Sequence, residues 1–197
     1  MSAANADTRR SFLLDNLEEH RELFSRLESL APAVEAAATL LVDALSAGGK
    51  LLFCGNGGSA ADSQHLASEF TGRFINDRRP LAALALTTDS SALTCIANDY
   101  SFEDVFSRQI LALGRKGDCL IAISTSGNSR NVLRAARAAR DGGLHTIGLL
   151  GRDGGELRAL CDVPIVVSSS TTARIQEAHS FIGHTLCGLV EQALGVG

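Results

Sequence analysis

Leu13, Leu17, His20, Phe24 and Leu27 recur at spacings of four and three among Glu18, Glu19, Arg21 and Glu22, which predicts an amphipathic helix. Residues 1 to about 8 lack that pattern and read as a frayed tail. A second helix begins near Pro32 and stops at Gly48-Gly49. From Lys50 the pattern changes to short apolar runs at Leu51–Cys54, Leu81–Leu86, Cys119–Ser124, His145–Leu150 and Val163–Val167. Continuous apolar runs bounded by Gly or polar residues predict strands covered on both faces. Between and after them lie helical patterns at Ser59–Gly72, Phe102–Leu113, Ser129–Asp141 and Thr172–Leu194. Strand and helix in alternation predict an α/β fold: a five-stranded parallel sheet with right-handed crossovers. With no linker, repeat or low-complexity stretch, 1–197 reads as one domain, in which 1–48 is a helical extension and 49–197 the α/β core.

Composition narrows the function classes. The 197 residues are 45% hydrophobic and only 5% aromatic, which suits close helix-on-sheet packing. A net charge of −4 with no Lys/Arg-rich run argues against nucleic acid as a partner. Cys54, Cys95, Cys119, Cys161 and Cys187 are widely spaced, odd in number and without C-x-x-C pairs. They predict buried free thiols in a reducing compartment. The start has no apolar signal region and no stretch reaches membrane-spanning length, so the cytoplasm is expected and a membrane is not.

Two loops carry the candidate chemistry. The first strand runs into Cys54-Gly55-Asn56-Gly57-Gly58-Ser59-Ala60-Ala61-Asp62, a glycine-rich turn at a helix N-terminus suited to phosphate. The same glycines satisfy a relaxed dinucleotide fingerprint, but the acidic residue that should end the next strand is too distant at Asp89, and no Walker lysine follows. No nucleotide cofactor is expected. The third strand runs into Ser124-Thr125-Ser126-Gly127-Asn128-Ser129 and another helix, giving a second anion cradle of neutral donors. Capping explains one or two of those hydroxyls, with Ser129 as N-cap, but not the cluster. A small phosphorylated substrate can use both loops.

These residues, together with His65-x-x-x-Glu69, Thr71-Gly72-Arg73-Phe74, Ala97-Asn98-Asp99-Tyr100, Arg174-Ile175-Gln176-Glu177-Ala178-His179 and His184, resemble the sedoheptulose-7-phosphate isomerases, or phosphoheptose isomerases. That family belongs to the sugar isomerase (SIS) group, and the resemblance covers almost the whole chain. It implies a flavodoxin-like three-layer sandwich and a homotetramer with sites near subunit boundaries. It implies a substrate site lined by Asn56, Gly57, Gly58, Ser59, Glu69, Asn98, Asp99, Ser124, Thr125, Ser126, Ser129 and Gln176. Glu69 and His184 are implied as the proton-transfer pair, and His65, Glu69, Gln176 and His184 as ligands of one zinc per subunit. Where some members carry an acidic residue before R-I-Q-E, this chain has Ala173, which touches the contacts of the sugar tail.

The residues read alone are consistent with that chemistry. Aldose–ketose isomerisation moves a proton between adjacent carbons through an enediol, and carboxylate and imidazole are suitable partners for it. His65 and Glu69 share a helix face, though spacing alone suits a surface pair. His184 on periodicity alone reads as a satisfied core histidine; His20 and His145 have no partners at ligand spacing. Two rivals are an isomerase of another sugar phosphate and a non-catalytic SIS binding protein. The latter class includes a relative that associates with the bacterial replication initiator and lacks the counterparts of Glu69 and His184.

Overall fold

The computed structural model describes residues 3–195. Five parallel strands stand in the order β2-β1-β3-β4-β5, with β1 Leu51–Cys54, β2 Ala83–Ala85, β3 Cys119–Ser124, β4 His145–Gly151 and β5 Val163–Val167. Among the described residues seven α-helices accompany them: α1 Ala3–Phe24, α2 Ala31–Ser46, α3 Gly58–Thr71, α4 Ser90–Asp99, α5 Ser107–Leu113, α6 Arg130–Asp141 and α7 Thr172–Ala193.

Alternation along the strands sorts side chains between two cores. Leu51, Phe53, Cys119, Ile121, Ile123, Ile147 and Leu149 face α2, α3 and α7, while Leu52, Cys54, Leu120 and Ala122 face α5 and α6. Helix α7 buries Ile175, Ile182, Leu186 and Val190 against the first face. Each such side chain is worth about 1.5–3 kcal/mol.

The structure departs from the sequence expectations in several places. Helix α1 begins at Ala3, so the chain is helical across most of the expected frayed stretch; residues 1–2 of it lie outside the described residues. The second strand shrinks to Ala83–Ala85 because it is an edge, paired only to β1, although Leu81 and Leu86 remain buried. The helix expected over Phe102–Leu113 divides into a 3-10 turn at Phe102–Asp104 and α5. Asp104 accepts the hydroxyl of Ser101 at 2.7 Å and Arg134 at 2.5 Å, which draws that turn towards α6. Helix α4 is new, and Asp89 caps it by accepting from Ala92 N at 2.9 Å. None of its side chains is fully buried; Leu93, Ile96 and Ala97 pack partly buried against the second core.

Cys54, Cys119 and Cys187 are buried free thiols as expected, whereas Cys95 is exposed. The helical stretch Arg9–Ser46 contains an 18-residue window of mean hydropathy 1.3, long and apolar enough by composition to cross a membrane, contrary to the expectation. Its α2 portion carries Glu35 and Asp43 and buries Val34, Ala37, Leu41 and Leu45 in the core, the pattern of a core helix.

The segment after α3 is tied to α7 by a buried ion pair. Glu191, 2% exposed, accepts the amides of Phe74 at 3.0 Å, Ile75 at 3.2 Å and Asn76 at 3.2 Å, and Arg78 Nε at 2.6 Å. Burial pushes this carboxyl up, but those amides and the Arg78 guanidinium outweigh it and bring it down to about 2 from 4.5. A depressed folded value means the stabilisation is complete above pH 4.5 and is lost as pH falls towards 2. Melting temperature is expected to drop across that window, and Glu191→Gln to flatten that part of the profile. An unchanged profile in the variant would assign the acid sensitivity to other carboxylates.

Candidate active site

In the order β2-β1-β3-β4-β5 the chain leaves β1 towards one sheet edge and β3 towards the other. The crevice between their carboxyl ends is the switch point where ligands enter such sheets. Both sequence-identified loops open there. They are joined by a reciprocal amide pair: Asn56 Nδ2 donates to Asn131 Oδ1, and Asn131 Nδ2 to Asn56 Oδ1, both at 2.8 Å. Asn131 is 4% exposed and escaped the sequence reading; only the fold sets it opposite Asn56.

The serine loop is built tightly. Ser124 Oγ lies 3.2 Å from Ser129 Oγ and accepts Gly127 N at 3.1 Å; Ser126 Oγ accepts Asn128 N at 3.1 Å. Ser129 stands at the N-cap of α6 but makes no side-chain cap bond; Asn131 Oδ1 takes the Val132 amide. The hydroxyls thus face one another rather than the helix end, which favours an anion. Gly127 has φ +66°, and a Cβ there would lie 1.9 Å from the carbonyl oxygen of Gly154. Leu157 N and Glu156 N bond Gly127 O and Asn128 Oδ1 at 3.0 Å, locking the loop against the turn after β4.

The ionisable groups meet where α3 crosses α7. Gly183 permits the approach, since a Cβ on it would sit 2.6 Å from Leu66. Asp62, His65 and Glu69 lie at i, i+3 and i+7 on α3, and Ser180 and His184 at i and i+4 on α7. His65 Nε2 and His184 Nε2 are 2.7 Å apart, and His65 Nε2 is 3.6 Å from Glu69 Oε1. One imidazole therefore donates to the other. Ser180 donates to Asp62 at 2.9 Å; burial holds the Asp62 carboxyl above its ordinary range, against that hydroxyl and the two nearby imidazoles. Cys187 lies beside this cluster, its thiol pushed up to about 12 first by burial and then by Glu69 and Glu191. Asp62 is a residue the sequence reading passed over, although its spacing from His65 and Glu69 marks the same stripe.

One ligand atom each from His65, Glu69 and His184 lies within 4.8 Å of the others, a nitrogen/oxygen set that suits zinc. Tetrahedral zinc at its usual bond lengths spaces two nitrogens by about 3.3 Å. The 2.7 Å pair would open by about 0.6 Å to reach that spacing. The residues present fit the ion.

A SIS domain family model matches residues 16–151. The phosphoheptose isomerase of Rhodospirillum rubrum is 54% identical over 173 residues, covering 88% of this chain and 92% of that protein. The solved phosphoheptose isomerase of Neisseria gonorrhoeae superposes with a TM-score of 0.89 at 46% identity, covering 93% of this chain and 98% of that one. That of Francisella tularensis gives 0.87 at 37% identity, covering 98% and 100%. The chain belongs to the phosphoheptose isomerases of the SIS family. It is an isomerase, and the reading as a non-catalytic SIS binding protein is not favoured.

Within this family frame the sequence-assigned residues fall into three groups. Asn56, Gly57 and Gly58 form the turn after β1, with Ser59 beneath it at 3% exposure; Ser124, Thr125, Ser126 and Ser129 form the other wall. His65, Glu69 and His184 cluster beyond them. Gln176 places its amide against Gly58, where a Cβ would lie 2.3 Å from its Nε2. Gly58 stands two turns ahead of His65 on α3. Asn98 and Asp99 close α4, exposed and bonded to each other at 2.8 Å. The core histidine of α7 is His179, not His184: it is 0% exposed, bonded to Leu150 O at 3.0 Å and lowered by burial to about 4. His20 pairs with Glu177 at 2.8 Å, and His145 is exposed at the start of β4.

Proposed function

We propose that the protein interconverts D-sedoheptulose 7-phosphate and D-glycero-D-manno-heptose 7-phosphate, opening bacterial heptose biosynthesis. The observation that carries this is an acid–base cluster beside two anion cradles at one switch point, in a chain 54% identical to a phosphoheptose isomerase. The phosphate rests on Ser124, Thr125, Ser126 and Ser129 with the amides of the Asn56–Gly58 turn; Gln176, Asn98 and Asp99 address the sugar. Glu69 takes the proton from C1 of the ketose, leaving the enediol, and returns it to C2. His184 shuttles the proton between the two oxygens. Electrons and protons balance within the one substrate, so the reaction needs no nicotinamide.

His65, Glu69 and His184, with Gln176 as a fourth ligand if its amide leaves Gly58, would hold one zinc per subunit. When bound, the ion would supply Lewis-acid polarisation of substrate oxygen, at the cost of making both Glu69 and His184 less available for proton transfer. A homotetramer is supported by Phe12, Leu13, Leu14 and Leu17, which stand exposed along α1, and by Phe181 on α7. Free buried thiols support a cytoplasmic location, and the charge of −4 supports no nucleic-acid role.

A panel of pentose, hexose and heptose phosphates is expected to yield aldoheptose product from sedoheptulose 7-phosphate alone, with zinc found by elemental analysis. Turnover of a pentose phosphate with no heptose product would sink the assignment. Absence of zinc, with activity indifferent to chelators and added zinc, would sink the metal site.

A further inference from the structure

Thr71-Gly72-Arg73-Phe74 takes no part in the chemistry above, yet its last residue stands on the acid–base cluster. The Phe74 ring stacks on His184, with centroids 5.5 Å apart and planes 16° from parallel. On another side His184 meets His65 edge-on, at 5.0 Å and 85°. One turn further along α7, Gly188 lies beside the ring: a Cβ there would make ordinary van der Waals contact with Phe74 at 3.6 Å. A turn beyond that, Glu191 holds the Phe74, Ile75 and Asn76 amides. Residues 184, 188 and 191 thus form one stripe on which this segment lies. The same clamp grips the other helix, because Arg78, bound to Glu191, donates through Nη2 to the carbonyl of Glu69 at 2.7 Å.

We propose that Phe74 is a positioning residue for the isomerisation: held in register by Glu191 and Arg78, its ring fixes the plane of the His184 imidazole. The torsion that turns a histidine ring is broad, so α7 alone does not aim Nε2. A flat neighbour against one face selects a single plane, and His65 at the edge selects the direction within it. Because Arg78 fastens the same segment to the Glu69 backbone, the acid and the base are set relative to each other by one small structure. This inference rests on the isomerase reading, in which His184 serves the substrate oxygens.

The test compares F74L and F74Y, made in the full chain and checked for cooperative unfolding, with H184N and the H184N/F74L double variant. F74L is expected to lower kcat by ~10–100-fold with KM within about threefold, the signature of misaimed rather than missing chemistry. F74Y, which keeps the ring, should retain wild-type kcat. H184N/F74L should be no slower than H184N. The His184 ring-proton NMR signals, assigned by their loss in H184N, should move downfield in F74L as the stacked ring's shielding is removed. Wild-type kcat in F74L, losses that multiply in the double variant, or unmoved His184 signals would overturn the proposal. Phe74→Met replaces F74L if the latter does not fold, with the same outcomes deciding. A wild-type protein that turns over no heptose phosphate sinks the isomerase reading instead, and the NMR shift still decides whether Phe74 aims His184.

Discussion

Replacing Glu69 by Gln is expected to cut kcat by ~10²–10⁴-fold, the usual worth of a positioned general base. The side chain keeps its size and its place on α3, so folding should be unaffected. Affinity for the substrate should largely survive, since the proposed reading rests the phosphate on the serine and glycine loops and not on Glu69. The 3.6 Å approach of Glu69 to His65 and the 2.7 Å contact of His65 with His184 put the carboxylate at the only place in the described residues where α3 and α7 bring two imidazoles and an acid together. Calorimetric titration separates binding from turnover. Exchange of the transferred hydrogen with deuterated water then identifies the base. Were the variant to exchange that hydrogen at the wild-type rate, another residue would have to abstract it.

The second large effect is expected at Gly127. With φ at +66° an alanine pays the strain of left-handed backbone, and its Cβ meets a carbonyl oxygen at 1.9 Å that belongs to backbone and cannot swing away. Strain and overpacking of this kind each cost about 1–3 kcal/mol, so Gly127→Ala should lose roughly 2–6 kcal/mol. For a chain of this length that corresponds to a melting temperature lower by ~5–20 °C. Because the serine loop must shift to relieve the contact, KM for the sugar phosphate should rise as well. A variant with wild-type melting temperature and KM would show that the loop and the turn after β4 are not packed as described.

The chain's own pattern went a long way towards the fold. Apolar runs of strand length at Leu51, Cys119, His145 and Val163, separated by helical periods, suffice for a parallel sheet, since both faces of such strands must be covered. The two loops were equally legible, because glycine and clustered hydroxyls after a strand have a local explanation in turn and anion chemistry. Helix α4 and the break before α5 were not legible. One packs only partly buried side chains, Leu93, Ile96 and Ala97, against the core, and the other coincides with the Arg134–Asp104 contact between residues 30 apart in the chain.

The cluster of His65, Glu69 and His184 belongs to the tertiary structure. Periodicity reports which stripe of a helix is buried, but not which of two histidines on α7 meets an open crevice. His179 faces Leu150 in the core, and His184 faces His65, 119 residues away in the chain. That choice follows from the sheet order, which lays α3 and α7 side by side, and from Gly183, whose missing side chain lets Leu66 approach. Asn131 opposite Asn56, Asp62 beneath the histidines and Phe74 against His184 come from the same source. Local sequence specifies what each segment can be, and the packing of distant segments decides which of their side chains share a site.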